Sequence, residues 1–581
     1  MRKLLIAVLL AGSAPAAAAP ADEFRTLLDE HWAWSMRESP VYATMLGVRD
    51  HDDRIDDVSL EAADRRTREA QALLKRLEAI PAAQLSPADR TNHAILKRML
   101  EEQIEANRFG QRMILFSNRG GWHQSVAGMA DQLPFRTKRD YESYLTRLAL
   151  YPKLNDEALT VTRRAVREGY MLPCDAMTGF DKTISGVIAG PPEKSRFYGP
   201  FTRAKPSDVT DAEWAAMQAR ARTLIEGTLY PAYRKHLAAY TGEMAPKCGK
   251  AVGVSAQPGG KDYYNYRIRT MTTTDLDADQ IHAIGLKEVA RIRAEMESVA
   301  RKAGFASREA FIQDLRTNPR YYAKTPEELM KETARVLKEI DGKMPGLFGT
   351  LPRLPYGIRE IPLEIAEGTT TAYYNLGSLE NGIAGTYYVN TTKLDQRPLW
   401  EIPALSVHEA VPGHHQQLAI QQELEMPMMR KHLAFFTAFV EGWGLYSESL
   451  GEEMGLYDTP AKEMGKLSYQ MWRATRLVVD TGMHAKGWPK QRAIDYMKDN
   501  TALSEANIEA EVNRYIADPG QALAYKIGEL KIKELRAKAT RELGAKFDLR
   551  RFHDAVLGQG SVPLDVLEAQ VNAWIEGEKR A

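Results

Sequence analysis

Apolar residues recur at helical spacing along most of this chain, and this pattern limits what the chain can fold into. The segment EAQALLKRLEAI, residues 69–80, places its three leucines and its isoleucine on one helical face. Similar charged segments with apolar residues at this spacing fill residues 22–247, and another runs from about 275 to 301. The pattern resumes after Pro403 and continues, with interruptions, to the C-terminus. We therefore predict a mainly α fold in which helices pack on helices.

Two short segments interrupt the helical pattern. Residues Ile358–Ile365 alternate in polarity, and residues Gly385–Thr392 are rich in β-branched and aromatic side chains. We predict one strand in each, and hence a small β-sheet beside the helix that carries the motif described below. A peptide can add to an edge strand, for which Gly385–Thr392 is our candidate. A solvent-exposed sheet edge unrelated to any substrate is the alternative.

The first 21 residues have the layout of an export signal. Arg2 and Lys3 precede an apolar run, and small residues follow as far as Ala21, where we predict cleavage. An uncleaved membrane anchor is the alternative, but the run is short for a membrane span. No cysteine lies near the cleavage point, which argues against a lipoprotein, and no later stretch has the character of a spanning helix. We expect a periplasmic or secreted protein without stable membrane insertion.

Charge and cysteine content narrow the function classes. The 78 lysines and arginines almost balance the 77 acidic residues, so no basic field is available to hold nucleic acid, and we exclude it as a partner. The only two cysteines, Cys174 and Cys248, predict one disulfide closing a long loop in an oxidising compartment. Two buried free thiols are the alternative.

The segment SVHEAVPGHHQ, residues 406–416, carries the most specific chemistry. Zinc peptidase helices present two histidines four residues apart with a glutamate as general base. Here His414 follows His408 by six residues, and Pro412 lies between them, so the two meet only if the helix is distorted. His415 would share the face of His408, but about 10 Å along the axis. We prefer His414 over His415 as the second ligand. Glu409 is the candidate base. Solvent-facing or core histidines near a kink are the alternative.

A third ligand is needed for a catalytic zinc site that keeps one position open. The aromatic segment AFFTAFVEGWGLY, residues 434–446, contains a single acidic residue, Glu441, among apolar neighbours. A carboxylate there is costly unless it is paired or bound to metal. An ordinary ion pair or an exposed position is the alternative for Glu441, and Glu448 is the competing carboxylate.

Four sequence stretches, HEAVPGHHQQ, VEGWGLYSE, DTGMH and RYIADPGQALAYKIG, resemble a bacterial family catalogued as a domain of unknown function, over most of the chain. The metal motif also resembles a lengthened form of that in the helical zinc peptidases, which include thimet oligopeptidase, angiotensin-converting enzyme and the helical carboxypeptidases. This second resemblance covers roughly the catalytic third. It implies His408, His414 and Glu441 as ligands of one Zn²⁺ and Glu409 as base. The two extra residues before the second histidine depart from the peptidase pattern and leave that ligand in question.

Such peptidases use a tyrosine or histidine to stabilise the oxyanion that develops during the reaction. Our candidates are Tyr515, Tyr525 and His484, with Tyr525 preferred. Arg473 and Arg476 lie three residues apart on a predicted helix, and one interpretation is that they pair with the C-terminal carboxylate of a substrate. We predict for them a structural salt bridge or a solvated face instead.

These residues predict an exported zinc metallopeptidase that hydrolyses short peptides. By resemblance to the helical oligopeptidases, residues 22–250 form an N-terminal helical region that covers the cleft, and residues 251–581 form the catalytic region. A zinc hydrolase of another amide or ester is the first alternative, since activation of water by zinc does not require a peptide. A non-catalytic exported peptide-binding protein with a degenerate metal site is the second. A two-histidine, one-glutamate site also suits other divalent ions.

Overall fold

The computed structural model describes residues 19–117, 120–361, 363–366, 370–378 and 382–580. The predicted signal, residues 1–21, therefore lies outside the described residues except for its last three. The first helix already begins at Pro20, so cleavage after Ala21 would remove its first two residues. No helix in the described ranges is long and apolar enough to cross a membrane.

Helices form most of the described chain, as predicted. The first ten are α1 Pro20–Glu38, α2 Pro40–Met45, α3 Leu60–Ala79, α4 Pro87–Ala106, α5 Trp122–Gln132, α6 Lys138–Arg167, α7 Phe180–Ser185, α8 Asp211–Leu224, α9 Tyr230–Ala239 and α10 Gly260–Thr272. The next seven are α11 Ala278–Lys302, α12 Arg308–Thr317, α13 Pro326–Lys343, α14 Leu363–Ala366, α15 Ile402–Glu409, α16 His414–Glu423 and α17 Met428–His432. The last seven are α18 Thr437–Leu450, α19 Pro460–His484, α20 Lys490–Asn500, α21 Glu505–Ala517, α22 Ala524–Leu543, α23 Leu549–Leu557 and α24 Leu564–Arg580.

Capping residues explain where several of the long helices begin. Thr137 directly precedes α6, and Asp277 directly precedes α11. The side chain of each accepts a hydrogen bond from the backbone N–H three residues on, and its own backbone N–H donates to the side chain of that residue. Helix α19 differs from these amphipathic helices because all of its residues from Met464 to His484 are buried. It is the central helix, and the polar side chains that it carries must find partners inside the protein.

The strands form two small sheets. Strands β1 Phe116–Ser117 and β2 Gly120–Gly121 make an antiparallel pair. Strands β3 Tyr356–Glu360, β4 Ala372–Asn375 and β5 Gly385–Val389 make a three-stranded sheet in the order β3-β5-β4. Strand β5 is parallel to β3 and antiparallel to β4.

Two strand predictions need correction. The predicted strand Ile358–Ile365 ends at Glu360, and α14 begins at Leu363. The sequence has a proline at position 362, outside the described residues, and proline lacks the N–H that a ladder hydrogen bond needs. The segment Gly385–Thr392 does form a strand, but β5 is the central strand of its sheet, so its prediction as an edge strand is wrong. In the described part of this sheet the edges are β3 and β4.

The buried apolar side chains form two large cores. One core combines residues from 24–100, Ala176 and residues from 252–575, and it contains the helices around the metal motif. The other core is built from residues 116–244. A disulfide joins Cys174 to Cys248, which confirms the predicted pairing, and the backbone of residues 172–174 is hydrogen-bonded to Gly249 beside it. The division at residue 250 and the covering role of the N-terminal region stay predictions.

Candidate metal centre

The motif lies on two short helices rather than on one distorted helix. Helix α15 ends at Glu409, and α16 begins at His414. Ala410 and Gly413 between them have ψ angles of −111° and −125°, outside the helical region. A β-carbon on Gly413 would clash with the backbone carbonyl of His408, so this close turn requires glycine. The break brings the His408 and His414 rings within 4.7 Å, at 88° to each other.

Helix α18 supplies the acidic residue and fixes the turn. Trp443 donates its indole N–H to the Pro412 carbonyl oxygen at 2.8 Å, which ties the turn to α18. Gly442 lies against Gly528 of α22, where a β-carbon would come within 2.5 Å of the Gly528 α-carbon. A β-carbon on Gly444 would come within 2.8 Å of the His408 ring. In the sequence EGWG, the glutamate thus supplies the carboxylate, the two glycines allow close packing, and the tryptophan holds the turn by a hydrogen bond.

Three side chains converge on one point between these helices. Oε2 of Glu441 lies 3.6 Å from Nε2 of His408 and 3.4 Å from Nε2 of His414. We call His408, His414 and Glu441 the ligand cluster; they are the residues of the described chain whose donor atoms could share one metal ion. Both distances are long for a good hydrogen bond. Four ligands around zinc at 2.0–2.2 Å lie about 3.3–3.6 Å apart.

The donor set fits a zinc ion on two further grounds. Glu441 Oε2 is buried and makes no hydrogen bond with any side chain or backbone group in the described ranges. Burial alone would raise the pKa of Glu441, but its interactions with His408 and His414 hold it well below the usual value. A carboxylate that stays ionised beside two imidazoles is a donor set typical of zinc sites.

Glu448 supports His408 from behind. Nδ1 of His408 donates to Oε1 of Glu448 at 2.9 Å, and Arg473 forms an ion pair with the same oxygen at 3.0 Å. Burial lowers the pKa of His408, but the interactions with Glu441 and Glu448 outweigh it and raise this pKa to about 9. A carboxylate on the second nitrogen of a ligand histidine fixes its ring orientation and leaves Nε2 directed at the ligand cluster.

Glu409, the candidate base, has a carboxylate with no hydrogen-bond donor among the described residues. It ends α15 directly after His408, is half-buried, and accepts no hydrogen bond from the described residues. Burial raises the pKa of Glu409, although His408 and His414 oppose this. A raised carboxyl pKa brings proton uptake closer to neutral pH, which suits a general base.

His415 is directed away from the ligand cluster. Its Nε2 donates to the Leu354 carbonyl oxygen at 2.9 Å, and its Nδ1 accepts from the Tyr374 hydroxyl at 2.9 Å. Both ring nitrogens are therefore engaged with the strand region. The geometry places His414, and not His415, beside His408.

The three oxyanion candidates differ in their surroundings. The Tyr515 hydroxyl accepts from Trp472 at 3.0 Å and donates to Glu511 at 2.7 Å. His484 accepts from the Val254 N–H at 3.0 Å and donates to the Tyr515 carbonyl oxygen at 2.9 Å. These two residues are committed to structural contacts.

Tyr525 remains. It is half-buried on α22, three residues before the Gly528 that packs on Gly442. Burial, and then the negative charge of Glu441, raise the pKa of the Tyr525 phenol, while Arg476 and Arg514 act to lower it.

Arg473 and Arg476 are confirmed as structural ion-pair residues. Arg473 pairs with Glu448, and Arg476 pairs with Glu511 at 3.0 Å. Both guanidinium groups are buried in α19.

The contact between Glu448 and His408 and the strand β4 were not predicted from the sequence. Glu448 was considered only as a rival ligand to Glu441. The seven-residue spacing of the two glutamates, two helical turns, puts both on nearly the same face of α18, and this signal could have revealed the pair. Strand β4 is only four residues long and has no alternation that would mark it.

Comparison with known proteins identifies the family but not an activity. A family model described as "Bacterial protein of unknown function (DUF885)" matches residues 40–571. A search of curated proteins finds no match. A crystal structure of "the putative lipoprotein from Colwellia psychrerythraea" superposes with a TM-score of 0.90 at 28% identity, covering 97% of this chain and 100% of that one. The structure of "a putative lipoprotein of unknown function from Shewanella oneidensis" has a TM-score of 0.72 at 18% identity, covering 95% and 99%. This second likeness shows the fold alone.

Proposed function

We propose that this chain, which belongs to the bacterial protein family DUF885, is a zinc-dependent metallopeptidase that hydrolyses short peptides. The observation that carries the proposal is the convergence of His408 and His414 on Glu441 at 3.4–3.6 Å, with Glu409 unengaged beside them. The resemblance of the motif to helical zinc peptidases agrees with these roles.

A zinc ion in the ligand cluster would lower the pKa of a water molecule and polarise a carbonyl group. Glu409 then accepts the proton of the attacking water and delivers it to the leaving amine. Tyr525 donates its phenol hydrogen to the carbonyl oxygen as negative charge develops there. Glu448 keeps the His408 ring in one tautomer and one orientation.

The sheet supports a peptide as substrate. Strand β4 has one side free in the described part of the sheet, since only β5 pairs with it. It packs against α15, the helix that ends in His408 and Glu409, and its Tyr374 is hydrogen-bonded to His415 at 2.9 Å. An extended peptide that added to this edge would lie on the sheet that packs against α15. This edge takes the place that the sequence had assigned to β5.

We also propose export to the periplasm or out of the cell. The N-terminal segment has the charge and apolar run of a signal, and the Cys174–Cys248 disulfide is typical of an oxidising compartment. The two solved relatives described as lipoproteins agree with export. N-terminal sequencing of the expressed protein should find a start at Asp22 in the periplasmic fraction or medium. An intact start at Met1 in the cytoplasmic fraction would contradict this proposal.

The activity is tested with the zinc-loaded protein and a library of short peptides, with products identified by mass spectrometry. We expect cleavage that a chelator abolishes and zinc restores. Glu409→Gln should keep its zinc but lose about 10²- to 10⁴-fold in kcat, because the proton acceptor is gone. His415→Ala is the matched control and should keep its zinc. Zinc binding without cleavage of any peptide would refute the peptidase, and model esters and amides would then test the wider hydrolase class.

A further inference from the structure

The ring of Tyr525 stacks against a buried arginine, Arg476. The guanidinium of Arg476, on the central helix α19, lies 4.2 Å from the centre of the Tyr525 ring and over its face. Arg476 is only 3% exposed, so substrate cannot reach it. Any effect of Arg476 on the reaction must therefore pass through the residues that it contacts, such as Tyr525.

The other contacts of Arg476 fix its guanidinium plane. Nε donates to the Tyr515 hydroxyl at 2.8 Å, and Nη2 donates to Glu511 at 3.0 Å. The Trp472 ring lies 4.6 Å from the guanidinium carbon. The remaining nitrogen, Nη1, is buried and finds no hydrogen-bond partner in the described part of the chain. Arg476 thus stacks on Tyr525 although this position leaves its Nη1 without a hydrogen bond to the described residues.

The charges around Arg476 do not cancel. Glu511 is shared, because Arg514 also binds it, at 2.8 Å. Arg476, Arg514 and Glu511 together carry one positive charge in excess, and Arg476 is the member of this group that stacks on Tyr525. In a buried site such a charge strengthens a hydrogen bond donated toward developing negative charge.

We propose that Arg476 is the positioning residue for Tyr525: it fixes the phenol ring by stacking and makes the phenol a stronger hydrogen-bond donor. This inference rests on the proposed function, in which Tyr525 donates to the carbonyl oxygen. A guanidinium suits both tasks because it is planar, stacks on aromatic faces and is always charged.

A double-mutant cycle tests whether Arg476 acts through Tyr525. Tyr525→Phe should lower kcat by about 10²- to 10³-fold, the effect of removing one oxyanion donor. Arg476→Gln should lower kcat by roughly tenfold, which is about 1.4 kcal/mol, with KM and zinc content unchanged. In the Tyr525→Phe background, Arg476→Gln should have no further effect on kcat. An equal loss in both backgrounds would overturn the inference.

Folding of the variants is checked by urea unfolding. Arg476→Gln leaves Glu511 paired with Arg514 and bonded to Tyr515, which favours a folded protein. Arg476→Lys keeps the charge without the planar stack, so we expect a loss of kcat smaller than that of Arg476→Gln and again confined to the Tyr525 background. If the glutamine variant does not fold, the lysine variant carries the same cycle.

A second measurement does not depend on activity. In protein with ¹³Cζ-labelled tyrosine, the Tyr525 resonance is the one missing from Tyr525→Phe. Arg476→Gln should shift or broaden that resonance, because the stack and the charge are lost together. An unchanged Tyr525 resonance would overturn the inference even if the protein hydrolyses peptides. Absence of any hydrolysis by the zinc-loaded wild type would instead refute the proposed function.

Discussion

Because α18 packs closely against His408, we predict that Gly444→Ala weakens zinc binding. The added β-carbon would lie 2.8 Å from Cε1 and 3.0 Å from Nε2 of the His408 ring. Since carbon atoms in contact lie about 3.5 Å or more apart, the ring must move by roughly 0.7 Å. Metal–ligand distances tolerate about 0.2 Å. We expect at least a tenfold loss of zinc affinity, the lower end of losses found when the surroundings of a ligand change.

Gly442→Ala is the matched control, two residues away on the same helix. Its β-carbon would meet the Gly528 α-carbon at 2.5 Å, which is backbone and cannot turn aside. We expect a loss of about 1–3 kcal/mol in the free energy of unfolding. Zinc affinity is measured by competition with a chromogenic chelator, and stability by urea unfolding. Wild-type zinc affinity in Gly444→Ala would show that the position of the His408 ring does not limit zinc binding.

Three further predictions concern supporting contacts. Glu448→Gln should weaken zinc binding about 10- to 100-fold in chelator competition, because His408 loses its carboxylate; wild-type affinity would contradict this. His236 is buried with a pKa lowered by burial and by a neighbouring histidine to about 3, so unfolding frees it to take up a proton below pH 6.5 and stability falls as pH falls. The wild type should therefore lose about 2 kcal/mol more than His236→Phe between pH 7 and pH 5 in urea unfolding, and equal losses would exclude this role. Replacing both Cys174 and Cys248 by serine should cost about 4 kcal/mol of unfolding free energy, since the disulfide closes a long loop, and an unchanged urea midpoint would contradict it.

Which histidine lies beside His408 could be predicted from sequence, but the local backbone could not. The axial rise of a helix disfavours His415, and the structure indeed turns it toward Leu354 and Tyr374. A distorted single helix was expected, whereas the structure has two helices and a turn. That turn is tied by Trp443, whose partner lies 31 residues earlier in the chain. Contacts at such a separation do not appear in a local pattern.

The sheet shows the same limit. The composition of Gly385–Thr392 predicted a strand, but the position of a strand within its sheet depends on which other strands pair with it. Strand β4 is too short to be recognised by alternation, so β5 was assigned to the edge. The partners of buried charges are equally non-local: Arg473 of α19 meets Glu448 of α18 because the two helices pack, and the sequence spacing of Arg473 and Arg476 only predicted that some partner was needed.

Metal analysis of the purified protein tests whether the ligand cluster binds one zinc ion. Elemental mass spectrometry of the wild type, His414→Ala, Glu441→Gln and His415→Ala is carried out on protein shown to be folded by circular dichroism. The proposed zinc site requires about one zinc per chain in the wild type and in His415→Ala, and loss of zinc in the other two variants. No zinc in the wild type, even after zinc is added, would contradict it, as would zinc retained without His414 and lost without His415.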